Sequence, residues 1–269
     1  MHAPFAIAVL CLALVTAPAA AGTAASLYLQ DLSTADVREA VASGTRTIII
    51  PVGGTEQNGA HMALGKHNFR AHALAGRIAA ELGHTLVAPV VAYVPEGQIS
   101  PPTEHMRYAG TISISEAAFK GLLDGAARSF AQHGFTDIVL IGDSGNYQGQ
   151  LKAVAETLNR NWKGGPARAH FIAAYYDAAQ QPFVKQLREQ GLSNAQIGTH
   201  AGAADTSLML AVDPSKVWPQ KALAPVSGTG GSGVNGDPGR ASAELGRLGT
   251  ELIVRDSVTA IRKALAMPR

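Results

Sequence analysis

Histidine and carboxylate side chains gather in four short stretches, the first three just after apolar runs. The first, PVGGTEQNGAHMALGKHN, holds Glu56, Gln57, Asn58, His61 and His67. The second, VPEGQISPPTEHMRYAGT, holds Glu96, Glu104 and His105, and the third, IGDSGNYQG, holds Asp143, Ser144 and Asn146. Later, GTHAGAADTS brings His200 and Asp205. These stretches contain four of the nine histidines in the chain. Imidazole with carboxylate is a donor set that suits a borderline divalent metal such as zinc or manganese.

For such residues to act together, the chain must bring its loops to one place. Short β-branched runs alternate with helical stretches at a spacing that does this. Thr45–Val52 (TRTIIIPV), Thr85–Val94, Asp137–Gly142 (DIVLIG) and Arg168–Tyr176 read as buried strands, the second broken by Pro89. Helices are expected over 69–82, 115–133 with Ser115 as N-cap, 148–162, 183–190, 204–211 and 241–265. Strand and helix in alternation imply parallel strands joined by crossover helices, an α/β sandwich with a mostly parallel central sheet flanked by helices. In such sheets ligands bind beyond the carboxyl ends of the strands, where the polar stretches fall. Ser227–Gly239 (SGTGGSGVNGDPG) lacks both a preceding strand and a G-K-[ST] triplet, so it reads as a surface loop and not a phosphate loop.

Composition narrows the remaining classes. The 269 residues are 46% hydrophobic and 16% charged, which argues for a folded globular chain. A net charge of +2, with no Lys/Arg run, gives no electrostatic footprint for nucleic acid. Residues 1–21 (MHAPFAIAVLCLALVTAPAAA) combine an apolar run with a small-residue cleavage pattern and read as a signal peptide. The run is too short to span a bilayer. The expectation is therefore a single domain over 22–269, periplasmic or secreted, with no membrane attachment after cleavage. Cleavage would remove Cys11, the sole cysteine, and with it any thiol chemistry.

The first stretch is similar to the P-V-G-[ST]-x-E-Q-H-G-x-H-L-P-L-x-x-D block of the creatininase family. EHMRYAGTISIS, HGFTDIVLIGDSGNYQ, HAGAADTSLMLAVDP and NGDPGRASAELG follow in the family's order, so the resemblance spans about residues 45–255. It implies an α/β sandwich around a two-metal site, usually zinc or manganese, that hydrolyses C–N bonds of cyclic or small amides, in a homo-oligomer that is commonly a hexamer. Residue by residue, the first-loop glutamate matches Glu56 and the later histidine matches His200. A ligand histidine is replaced by Asn58, the bridging aspartate by His67, a second histidine by Asp143 and a second glutamate by Gly145. A further glutamate becomes Asp205. The exchange at 67 and 143 keeps the number of imidazoles and carboxylates, provided that the two face each other.

Because Asn58 and Gly145 remove the ligands of a second ion, the expectation is one divalent metal, zinc or manganese, held by Glu56, His67, Asp143 and Asp205, with a bound water as nucleophile. His200 and Glu56 would be catalytic, His200 passing a proton to the leaving nitrogen. His105 could line the substrate pocket or hold its loop. Asn146 and Tyr147 could polarise a carbonyl or cap the turn. His61 could ligate or brace its turn. The expected partner is a small-molecule amide, creatinine-like. The alternative from another class is a binding protein that has kept the scaffold and lost catalysis.

Overall fold

The computed structural model describes residues 26–221 and 231–268. The expected signal peptide at 1–21 lies outside the described residues, as does the start of the glycine-rich stretch at 227–230. The chain runs α1 (Thr34–Ala42), β1 (Thr47–Val52), α2 (Lys66–Leu82), β2 (Thr85–Val87), α3 (Glu116–Gln132), β3 (Asp137–Gly142), α4 (Gln148–Asn161) and β4 (Arg168–Phe171). It continues through α5 (Ala174–Gln180), α6 (Pro182–Glu189), α7 (Asn194–Ile197), α8 (Ala203–Val212) and α9 (Ala243–Leu265).

The four strands form one parallel sheet in the order β2-β1-β3-β4, with Ile48 opposite Ile138 and Ile50 opposite Leu140. Every residue of β1 and β3 is buried, as expected of strands covered on both faces. Ile49, Val139 and Ile141 point to a core shared with α2, α5, α6, α8 and α9. Ile48, Ile50, Ile138 and Leu140 point to a second core with α3 and α4, headed by Phe119, Leu123 and Leu151. The fold is the expected α/β sandwich.

Local differences from the sequence reading have physical causes. β2 is only three residues long, because the chain bends away at Pro89 and returns through a single bridge, Val91 to Val52. β4 stops at Phe171, and the expected strand end instead forms α5. Ser115 caps α3 as expected, accepting from the Ala118 N–H at 3.2 Å. α1 begins with a capping box between Ser33 and Asp36.

The sheet delivers two candidate loops directly. β1 runs into Gly53-Gly54 and the Glu56 loop, and β3 runs into Asp143. α2 starts where the Glu56 loop ends, and α8 follows His200 by three residues. The described part of the glycine-rich stretch is not a free surface loop. Asn235 exchanges backbone hydrogen bonds with His200, at 2.8 and 3.3 Å, and Gly198, at φ +70°, leaves no room for a Cβ beside the Asn235 carbonyl.

Candidate active site

At the carboxyl ends of β1 and β3 lies a small cavity of about 190 Å³, bounded by Glu56, Lys66, His67, Arg70, Asp143 and His200, with His105, Asn146 and Asp205 also at its wall. The size is below the ~300–1,000 Å³ of drug-sized ligand sites and suits a small molecule.

Its floor is a chain of buried charges. His67 donates through Nε2 to Glu56 Oε1 at 2.8 Å and through Nδ1 to Asp143 Oδ1. Both partners are carboxylates, so both ring nitrogens must carry protons. Burial alone would lower the His67 pKa, but the Glu56 charge and the Asp143 hydrogen bond raise it. Arg70 donates from Nε to Asp143 Oδ1 at 2.8 Å and from Nη1 to Asp205 Oδ1 at 2.7 Å. The Lys66 ammonium donates to Asp205 Oδ2 at 2.9 Å and stands 3.4 Å from Glu56 Oε1. Lys66 and Glu56 are each only 1% exposed. The Tyr175 hydroxyl takes the other Asp143 oxygen at 2.8 Å.

The three carboxylates are ionised in consequence. Burial would raise Asp143, but Arg70 and His67 hold it low. Burial would likewise raise Asp205, but Lys66 and Arg70 hold it well below the usual range. Glu56 follows the same rule under His67 and Lys66. Glu96 is the exception: burial and the Glu56 charge push it up to about 8. Its Oε2 accepts from Asn146 Nδ2 at 2.8 Å, while Oε1 is buried without a partner.

On the open side, His200 donates through Nε2 to the Gln57 carbonyl at 2.9 Å, which leaves the Nδ1 lone pair 3.5 Å from Lys66 Nζ. Burial and the Lys66 charge lower its pKa to about 4, so it is neutral at pH 7. His105 Nε2 lies 3.3 Å from Glu56 Oε2, and its pKa is lowered by burial. Gln57 ties this side to the glycine-rich stretch, donating to the Gly233 carbonyl at 2.8 Å.

The structure therefore brings together Glu56, His67, Asp143, Asp205, His200, His105 and Asn146. Tyr147 lies apart from the cavity. It is fully buried, its hydroxyl donating to the Val52 carbonyl at 2.9 Å and accepting from the N–H groups of Asp143 and Ser144. It braces the β3 turn, with no hydroxyl left for a substrate. His61 is buried against Thr206 at 3.1 Å and braces its turn, and Asn58 does the same through the Glu56 and Ala63 carbonyls. Glu104 is exposed and is not among the residues lining the cavity. Lys66 and Arg70 were not among the sequence candidates. Arg70, three residues after His67 and four before Leu74, sits on the buried stripe of α2, and a charge on such a stripe is the signal that would have found it.

Whether these residues suit a metal can be judged from their donor atoms. His67 has no free lone pair, and the oxygens of Asp143 and Asp205 accept from Arg70, Tyr175, Lys66 and the Ala201 N–H. The four residues that the resemblance assigns to a metal do not fit one as they are placed. A side chain at position 145 would need the half-buried Tyr176 ring to move, since a Cβ there would fall 2.5 Å from its hydroxyl. Among the described residues, Glu56, His105 and His200 form the group whose donor atoms, all within 4.8 Å of one another, could hold a metal ion. Lys66 stands beside two of the three.

Comparison with known proteins follows the same lines. The creatinine amidohydrolase (creatininase) family model matches residues 30–261. A creatinine amidohydrolase of Pseudomonas putida is 28% identical over 258 residues, covering 88% of this chain and 97% of that protein. A mycofactocin precursor peptide peptidase of Mycobacterium tuberculosis is 30% identical over 251 residues, covering 84% and 88%. A solved structure described as creatininase Mn superposes with a TM-score of 0.74 at 25% identity, covering 90% of this chain and all (100%) of the other. A parallel sheet with the cavity at its carboxyl edge, a match over nearly the whole described length and relatives covered almost end to end agree: the chain belongs to the creatininase family.

Proposed function

We propose that the chain is a hydrolase of a C–N bond in a small or cyclic amide, with the cavity at the ends of β1 and β3 as its active site. The observation that supports this best is the placement of His200. Its Nε2 is fixed on the Gln57 carbonyl, while its unprotonated Nδ1 faces the Lys66 ammonium at 3.5 Å and lies beside the Glu56 carboxylate. The names of the relatives, an amidohydrolase and a peptide peptidase, point to the same bond type.

The reaction follows from these groups. An amide enters with its carbonyl oxygen toward the Lys66 ammonium, which stabilises the oxyanion as it forms. Water attacks the carbonyl carbon and gives its proton to His200 Nδ1. The C–N bond then breaks, and the leaving nitrogen takes that proton from His200. A histidine whose pKa is about 4 surrenders a proton readily, which suits delivery to a basic nitrogen. Glu56, ionised beside His105 and His200, orients both rings and favours the transient imidazolium. The donors that the family resemblance assigns to zinc or manganese are held by Lys66, Arg70 and Tyr175, so each step is assigned to side chains.

One observation favours a second reading, a binding protein without turnover. Asn58 and Gly145 stand where family ligands would be, and Asn58 is spent on loop carbonyls. A panel of lactams, creatinine, small amides and short peptides separates the two. The hydrolase reading expects turnover of at least one amide, abolished in His200→Ala. Tight binding of a panel member without hydrolysis would instead establish the binding protein. Export through the segment at 1–21 and assembly into a homo-oligomer complete the proposal, both on the sequence and the family resemblance.

A further inference from the structure

We infer that Lys66, Arg70 and His67 are the resident cations of this centre, and that it is complete without a metal ion. Two buried carboxylates, Glu56 and Asp143, and the partly exposed Asp205 meet three buried cations, each cation in direct contact with two of the carboxylates. The cluster is charge-neutral as it stands. A divalent ion on the Glu56–His105–His200 group would add two positive charges next to the Lys66 ammonium, where Glu56, Asp143 and Asp205 already have cationic partners.

Geometry blocks the ion as firmly as charge does. Lys66 Nζ lies 3.4 Å from Glu56 Oε1 and 3.5 Å from His200 Nδ1, beside two of the three residues such an ion would need. His67 offers hydrogens where an aspartate would offer lone pairs. The exchange at positions 67 and 143 does place the two residues face to face, but their hydrogen bond closes the space between them. A relative described with manganese shares the fold. In this chain the positive charge of an ion is supplied by the first turn and a half of α2.

This inference does not depend on the hydrolase reading, because its test reads metal and stability, not turnover. The full chain is produced with zinc and manganese in the medium, desalted, and analysed for bound metal. Melting temperature is then recorded with a chelator, with zinc and with manganese. The expected result is no stoichiometric metal and no shift under any of the three. About one ion per chain, lost to the chelator with a fall in Tm, overturns the inference. Lys66→Ala frees Glu56, His200 and Asp205, and it is expected to gain a zinc-dependent rise in Tm of roughly 5 °C. Lys66→Met, which keeps the volume and removes the charge, reads the same way if the alanine variant does not fold. A folded variant indifferent to zinc also overturns the inference, since Lys66 would then not be what stands in the ion's place.

Discussion

The Arg70 guanidinium meets the Asp143 carboxylate through Nε at 2.8 Å and through Nη2 as well, with both side chains only 4% exposed. The same guanidinium reaches Asp205 with its remaining arm. One side chain therefore neutralises carboxylates from the end of β3 and from α8, and both depend on it. Arg70→Met leaves Asp143 with only His67 and Tyr175, and Asp205 with only Lys66 and a backbone N–H. Loss of a partner from a buried pair costs about 3–5 kcal/mol. Urea denaturation should show a drop of that order, whereas Arg77→Met, at an exposed pair with Glu251, should change little.

Glu96 gives the pH response of the fold a sign that can be checked. Burial and the Glu56 charge raise its folded pKa to about 8 from an ordinary 4.5. A raised pKa means that the folded state holds a proton that the unfolded state has released. The stabilising contribution is complete below 4.5 and is lost as pH rises through about 8. Glu96→Gln keeps the shape and removes the titration. The stability of the native chain relative to this variant should fall steadily across that window, and parallel curves would show that Glu96 is not protonated in the folded state.

His200 sets the acid limb of any hydrolysis. Its lone pair disappears only as pH falls through about 4, well below the ordinary 6.5. Turnover of a responsive amide should therefore persist below pH 6 and fail near 4. His200→Ala should cost about 10²–10⁴ in kcat, the usual yield of a positioned acid–base group.

Tyr147→Phe separates bracing from substrate contact. Its hydroxyl meets the Gly53 carbonyl and the Ser144 N–H, whereas the Val52 carbonyl and the Asp143 N–H, which it also touches, hydrogen-bond each other at 3.0 Å. Removing it leaves buried polar groups unpaired, at about 1–3 kcal/mol. The expected result is a lower melting temperature with KM for the amide unchanged; a raised KM at unaltered stability would place Tyr147 on the substrate.

Much of this was legible in the sequence because period and composition agreed there. The apolar runs at 47–52 and 137–142 became the two central strands, and the polar stretches following them met at one edge. Tyr175 and Tyr176 read as strand because aromatic residues favour pleated surfaces, yet tertiary contact with Asp143 wins and the segment is helical. Lys66 was illegible for a different reason. A lone lysine between Gly65 and His67 resembles any solvated helix start. Only the fold reveals that Glu56 and Asp205, from segments more than a hundred residues apart, surround it. Likewise His67 and Asp143 could be paired by the exchange argument, but the saturation of their lone pairs could not be read from spacing.

The three cations at 66, 67 and 70 lie in the first turn and a half of α2, where the helix dipole disfavours positive charge, while their three counter-ions come from three separate segments, the loop before α2, the end of β3 and α8. Inheritance of the centre is accordingly lopsided. A carboxylate can be exchanged singly, with a local penalty, but one inserted or deleted residue between Gly65 and Arg70 would rotate the whole positive set out of register at once. The stretch behaves as a cassette, and moving it onto a metal-bearing relative would mean replacing five consecutive codons on one side and three scattered ones on the other.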